Sequence, residues 1–392
     1  MSRLSNCYNV SDFREMARRR LPKFIFEFID RGAEDEIALA ENIEAFRRIK
    51  LLTNFCVDLS ERDMGTDLFG KRLSLPLIIA PTGAAGLCWY RGELELAKAA
   101  AKAGIPFAVS WAALTPMETI AKEAGGRLWY QLYYWTEEDL TFETIARARD
   151  VGYEALVVTI DTALGRSREY NDRNGFTDPI TFNRKIVADL ALRPGWCLDV
   201  IGRYLVATGM PKHENFPLKY RNSRTKPVNH PGLNWKHIEK VRAFWPRTLI
   251  LKGILSRSDA IRAVECGADG ISVSNHGGRS LDSAVSPIEI LPDIADAVGG
   301  RTTILLDGGV RRGTDIIKAL ALGAKAVMVG RATLFATAVG GQSGATKMID
   351  IIGTEFEKNM AYVGCRAVSE IGPHVLAPRT AREIYPERQM AD

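Results

Sequence analysis

The sequence predicts an α/β protein built as a (β/α)8 TIM barrel, and three observations lead there. Eight short apolar, β-branched runs succeed one another at 75–80, 107–110, 128–133, 155–161, 249–253, 270–275, 303–308 and 326–330. Most are followed by a Gly, Pro, Ser or Asp turn and then by helical periodicity. Polar residues with chemical capacity collect where these runs end. Near-continuous apolar strands belong to a parallel sheet covered on both faces, and eight strand-plus-helix units close a barrel.

In chain order, residues 1–70 read as a helical preface to the first strand. Residues 93–103 place alanines and leucines at helical spacing. The stretch 256–266 opens on Ser256, an N-capping residue, and 314–322 runs up to Gly323, a C-terminal stop. Each leads into the next strand by the short loop of a barrel unit. Residues 176–232, after the fourth strand, form a long Pro- and Arg-rich insertion. The strand count puts it at the C-terminal face, where barrel enzymes keep their sites. The whole of 1–392 is then a single domain.

Composition narrows the function classes. With 46% hydrophobic and 25% charged residues the chain folds rather than staying disordered. Its six cysteines are scattered, with no C-x-x-C pair and no metal-site spacing, which fits reduced thiols in a cytosolic setting. Residues 1–20 are polar and carry Arg18, Arg19 and Arg20, so they do not read as a signal peptide. The uncharged run 73–90 is broken by Pro76, Pro81, Gly83 and Gly86 and reads as a strand and loop, not a membrane span. Between 178 and 230 nine Lys and Arg face four Asp and Glu, which accounts for the entire net charge of +5. This basic stretch contains no nucleic-acid module.

Residues 274–282 read Ser-Asn-His-Gly-Gly-Arg-Ser-Leu-Asp directly after a buried run. A histidine leaving a strand into a Gly-Gly turn, three residues before an arginine, places a base beside a fixed cation, as a small anionic substrate requires. The other strand ends add Gln131 and Tyr133, Thr159 and Asp161 with Arg166 and Arg168 beyond, and Lys252. The segment 307–315, Asp-Gly-Gly-Val-Arg-Arg-Gly-Thr-Asp, with Gly330-Arg331 after the last strand, has the form of a phosphate site. Glycines let backbone amides approach an anion, a helix N-terminus faces it, and Arg311 and Arg331 supply charge. No metal site is expected.

Together these motifs resemble the FMN-dependent L-2-hydroxy acid oxidising family, dehydrogenases and oxidases alike, and are most like its (S)-mandelate dehydrogenase members. The resemblance runs from Leu21-Pro22-Lys23 and Gly32-Ala33-Glu34-Asp35 through Ala80-Pro81-Thr82-Gly83 and 274–282 to 319–324. It implies FMN as cofactor and oxidation of a mandelate-like (S)-2-hydroxy acid to the keto acid. His276 would be the base and Asp161 would hold its ring. Arg168 and Arg279 would grip the carboxylate, and Tyr133 would bond the hydroxyl or keto oxygen. Lys252 would stand near the flavin, with Pro81, Thr82, Gly83, Ser110, Gln131, Thr159 and Ser274 around its ring. Asp307, Gly309, Arg311, Gly330 and Arg331 would meet its ribityl chain and phosphate.

One position departs from the family pattern. Phe28 stands where the family usually has a tyrosine, and it has no hydroxyl to offer a carboxylate. The insertion, with Arg193-Pro194-Gly195-Trp196-Cys197-Leu198-Asp199 and Gly209-Met210-Pro211, resembles the membrane-attaching stretch of those dehydrogenases. It combines its cations with Ile186, Leu190, Leu192, Trp196, Leu198, Val200, Ile201, Tyr204, Leu205 and Val206, apolar side chains that can enter a lipid surface; the alternative is a solvated active-site lid or an oligomer contact. The implied partners are a hydroxy acid, a membrane quinone or other electron acceptor, and further copies in a homotetramer. The implied location is cytoplasmic, peripheral on the inner face of the cytoplasmic membrane. Two rivals stand beside this reading. One is a soluble oxidase of lactate, glycolate or 4-hydroxymandelate using dioxygen, against which Gly83 leans, several oxidases having alanine there. The other is a noncatalytic FMN-binding barrel, which would not need His276, Asp161, Arg168 and Arg279 together.

Overall fold

A computed structural model describes residues 3–162, 165, 167–177, 181–220 and 227–378. Its centre is a closed barrel of parallel strands, each overlapping one of the eight expected runs. The strands are β3 (Leu77–Ile79), β4 (Phe107–Ser110), β5 (Leu128–Leu132), β6 (Ala155–Thr159), β7 (Thr248–Ile254), β8 (Gly270–Ser274), β9 (Thr303–Asp307) and β10 (Ala326–Val329). β10 pairs with both β9 and β3, which closes the ring.

Alternation along the strands sorts side chains between two cores. Ile78, Ala108, Trp129, Ala155, Val157, Ile250, Leu305 and Met328 fill the barrel interior, whereas Leu156 and Val158 pack outward with the helices. Alanines around the Trp129 indole let a small barrel close over a large ring. Two residues further along, six of the eight inward rows present Ser110, Gln131, Thr159, Lys252, Ser274 and Asp307, all buried. A polar floor at the C-terminal mouth is thus built by strand register.

The outer helices follow their sequence signals. Ser256 Oγ accepts from Asp259 N at 3.1 Å at the start of helix Arg257–Glu265. Gly323, at φ +105°, follows helix Gly313–Ala321. The preface is only partly helical, which corrects the expectation for residues 1–70. Helices α1 (Val10–Arg20), α2 (Lys23–Asp30) and α3 (Ile37–Arg48) lead to an antiparallel hairpin of β1 (Thr66–Leu68) and β2 (Lys71–Leu73). Phe69 and Gly70 both take positive φ in its turn, the geometry that suits a two-residue hairpin. Leu68 and Leu73 are buried under the barrel, and the Phe69 ring meets Trp129 at 5.9 Å, so the hairpin closes the bottom. Strands of three residues are too short to show their period in sequence.

The insertion forms helix Arg184–Ala191 and then a helical run from Pro194 to Ala207 whose middle turn, Cys197–Gly202, is widened. Its apolar residues divide between two faces, which corrects their treatment as one lipid-facing set. Ile186, Trp196, Val200 and Tyr204 are buried against the protein, where Trp196 Nε1 donates to Leu87 O at 2.8 Å. Val187, Leu192, Leu198, Leu205 and Val206 are exposed, Val206 at 91%. Among the described residues no helix is long and apolar enough to cross a membrane. Arg166, Asp178 and 221–226 lie outside the described residues.

Candidate active site

The mouth of the barrel holds a cavity of about 660 Å3. On its wall stand Phe28, Pro81, Thr82, Gly83, Ser110, Gln131, Tyr133, Thr159, Arg168, Lys252, His276, Arg279, Asp307, Gly309, Arg311, Gly330 and Arg331. Asp161 and Ser274 stand behind that wall and act on it through other side chains.

His276 follows β8 and takes φ +58°, a conformation that L-residues enter at a cost and that recurs at functional sites. Its Nδ1 lies 2.9 Å from Asp161 Oδ1. A carboxylate can only accept, so Nδ1 carries a proton, and in the neutral ring Nε2 then has the lone pair. Asp161 comes close because β7 bulges at Gly253, where the register with β8 shifts. Gly253 sits at φ +109°, and a Cβ there would come within 2.6 Å of Asp161 Cβ.

Behind the base lies a buried ionic knot. Lys252 Nζ is 2.6 Å from Asp307 Oδ2 and donates to Ser274 Oγ at 2.8 Å. Ser274 Oγ donates to Asp307 Oδ2 at 2.7 Å and accepts from His276 N at 3.0 Å. Burial opposes the lysine's charge, but Asp307 and Asp161 outweigh it and hold the ammonium above the usual lysine value. Ser274, expected against the cofactor, is therefore placed as a brace between lysine, aspartate and base.

The opposite wall comes from α2. Its last carbonyls, which no helical amide can satisfy, are taken by arginines from other elements. Arg279 Nη1 donates to Phe28 O at 2.6 Å, and Arg331 Nε and Nη2 donate to Asp30 O and Arg31 O, each at 3.0 Å. The Phe28 ring then lies with the Arg279 and Arg168 guanidiniums 5.2 and 5.8 Å from its centroid. Phe176, from the insertion, packs on it at 4.9 Å. Phe28 thus replaces a hydrogen-bonding group by a face that attracts cations.

The residues at the far end of the cavity fit the phosphate of FMN. Burial, then the neighbouring Arg279 and Arg311, push the Arg331 guanidinium down to about 9, and Arg311 is lowered mainly by burial. Cations that weaken one another are relieved by an anion among them. Gly309 stands at φ +83°, where a Cβ would overlap Asn42 O at 2.1 Å, so the loop tolerates no side chain. Thr82 Oγ1 is buried on the cavity wall with no partner. Asp315 accepts from Arg311 N and Arg312 N at 2.9 and 3.0 Å and fixes the loop at a helix start.

Sequence reading missed several contributors. Trp111 lines the cavity, and Phe216 of the insertion stacks on it at 4.7 Å. Asn42 of α3 and Asn275 exchange amide hydrogen bonds of 2.8 and 2.7 Å, which pins the histidine's loop. Asp282, last residue of the nonapeptide, accepts from Ala38 N in the first turn of α3. The only signal for the asparagine pair was Asn275 itself, polar at a buried strand end.

Comparison with known proteins agrees with this geometry. The model of the family described as FMN-dependent dehydrogenase matches residues 17–378. The chain is 38% identical over 377 residues to (S)-mandelate dehydrogenase of Pseudomonas putida, covering 95% of this chain and 94% of that one. It is 39% identical over 373 residues to an L-lactate dehydrogenase of Caulobacter sp. strain K31, covering 94% and 98%. A crystal structure of (S)-mandelate dehydrogenase, described as a monotopic membrane protein, superposes with a TM-score of 0.88 at 38% identity, covering 95% of this chain and 99% of that one. The chain therefore belongs to the FMN-dependent dehydrogenase family, with FMN as its cofactor.

Proposed function

We propose that the protein oxidises a mandelate-like (S)-2-hydroxy acid to the 2-keto acid and passes the electrons to a membrane quinone. The observation that carries this reading is the His276–Asp161 pair on one cavity with Arg168 and Arg279. Oxidation of the alcohol carbon releases two electrons and two protons, and bound FMN supplies the electron acceptor. His276 Nε2 takes a proton from the substrate, and Asp161 stabilises the imidazolium that forms. Arg279 and Arg168 hold the carboxylate, and the Tyr133 hydroxyl bonds the oxygen that becomes a carbonyl. Phe28, Phe176 and Trp111 offer apolar walls to an aromatic substituent. Names of relatives support the same reading. The test of the cofactor is direct: flavin extracted from purified protein is expected to run as FMN, and finding FAD, or no flavin after reconstitution, overturns the reading.

Arg279→Lys should lower kcat/KM roughly ten- to hundredfold, because an ammonium cannot give the planar two-point grip and about 1.5–3 kcal/mol of charged hydrogen bonding is lost. Unchanged steady-state kinetics would remove Arg279 from substrate binding.

The exposed apolar face of the insertion is the surface we assign to the inner leaflet of the cytoplasmic membrane. Leu198→Ser, Leu205→Ser and Val206→Ser together leave the buried face untouched. Half-burial of three such side chains contributes about 3 kcal/mol, so partition into anionic vesicles should fall about hundredfold. Sedimentation with vesicles measures it, and an unchanged bound fraction would favour a lid over a membrane surface. A soluble oxidase would instead reveal itself by stoichiometric peroxide and no quinone reduction.

A further inference from the structure

Glu93, in the first turn of helix Gly92–Lys102, is fully buried, and the reaction as assigned makes no use of it. A carboxyl group taken out of water must find donors, and this one finds them on two loops. Its Oε1 accepts from Gly86 N at 2.8 Å and from Leu114 N at 3.3 Å, and its Oε2 accepts from the Thr115 hydroxyl at 2.9 Å. Gly86 follows β3 on the loop that opens Pro81-Thr82-Gly83, and Leu114 and Thr115 follow β4 on the segment that opens Ser110-Trp111-Ala112. All six of those opening residues line the cavity at the mouth. The loops meet on the cavity wall, where a Cβ at Gly83 would lie 3.8 Å from that of Ala112. Behind that meeting point Glu93 joins them a second time. The junction has little slack, because a Cβ at Gly86 would come within 2.8 Å of Tyr204 Oη, 2.9 Å of Leu114 Cβ and 3.0 Å of Glu93 Oε2. Tyr204, on the buried face of the insertion, closes it by accepting from Arg91 N at 3.1 Å.

We propose that Glu93 is a positioning residue for the oxidation, its carboxyl group holding Pro81–Gly83 and Ser110–Ala112 together as one wall for the FMN ring. This rests on the reading of the mouth as the FMN and hydroxy acid site. The side chain acts through its reach and its hydrogen bonds, not through its charge. Glutamine can reproduce both, since its Oε1 accepts from the two amides while its Nε2 donates to Thr115, whose hydroxyl turns to accept. Aspartate keeps the acidic group but falls one methylene short of the loops. Leucine keeps the size and offers no acceptor, which leaves the three donors unsatisfied.

The experiment compares FMN-reconstituted wild type with Glu93→Leu, Glu93→Asp and Glu93→Gln. Visible circular dichroism of the bound flavin, the FMN dissociation constant and steady-state dye reduction with (S)-mandelate are the readouts. Misplacement of about 1 Å can cost 10²-fold, so kcat of Glu93→Leu is expected to fall at least about tenfold, with altered flavin dichroism and weaker FMN binding. KM should stay within about threefold, because Arg168 and Arg279 come from other strand ends. Glu93→Asp should change in the same sense by less, and it carries the test if the leucine variant does not fold. Glu93→Gln should match wild type in dichroism and stay within about threefold in kcat. A lowered Tm with wild-type kcat and dichroism in the leucine and aspartate variants overturns the proposal, since Glu93 would then serve stability alone. Impairment of Glu93→Gln with an unaffected Glu93→Asp also overturns it, by assigning the effect to charge. Failure of the underlying FMN reading looks different, because wild type itself would then bind no flavin, and the proposal falls with it.

Discussion

His276→Ala is expected to reduce turnover of the hydroxy acid by at least about 10²–10⁴-fold, the range a positioned general base contributes. The loss should fall on kcat, because Arg168 and Arg279, the residues assigned to the carboxylate, are untouched. FMN content should stay at wild-type level, since Arg311, Arg331 and the Gly309 loop reach the far end of the cavity without the histidine. Alanine keeps the Cβ that makes φ +58° costly, so the substitution neither relieves nor adds backbone strain there. Steady-state dye reduction alongside a flavin assay checks the result. Turnover within a few-fold of wild type would place the base elsewhere.

Gly253→Ala is expected to damage the same chemistry from a position that touches neither substrate nor FMN. At φ +109° an alanine is strained, by about 1–3 kcal/mol, and its Cβ would stand 2.6 Å from that of Asp161. Asp161 must retreat, and the imidazole loses the partner that sets its tautomer and orientation. Misplacement of about 1 Å can cost 10²-fold, so kcat should fall by roughly that factor with KM within a few-fold and FMN retained. A lowered Tm together with unaltered kcat would show that the bulge serves only stability.

Much of the fold and site was legible because both follow strand register. Once β8 is a strand, the alternation that buries Ile271 and Val273 among the helices puts Ser272 and Ser274 inward, and His276 follows at the mouth. The same reasoning placed Gln131, Thr159, Lys252 and Asp307. Glycines at 308 and 309 announced a loop that side chains would block, and Arg311 and Arg331 announced its charge. Ser274 was legible in position but not in role, because the distances that make it a brace for Lys252 and Asp307 exist only once three strands lie side by side.

The sequence by itself determined the barrel, the mouth as the place of chemistry, a histidine at a strand end, and the form of an anion site beside it. Each rests on local pattern, whether a period of two along a strand, a capping residue or a glycine turn, and such patterns are written in contiguous residues. Tertiary structure decided what depends on distant segments meeting. Phe28 comes to lie against Arg279, 251 residues away, because guanidiniums satisfy the carbonyls at the end of α2. Phe216 covers Trp111, the hairpin closes the barrel floor, and the insertion buries one apolar face while exposing the other. Apolar residues at helical spacing state that a face will be covered, and only packing decides whether protein or another surface covers it.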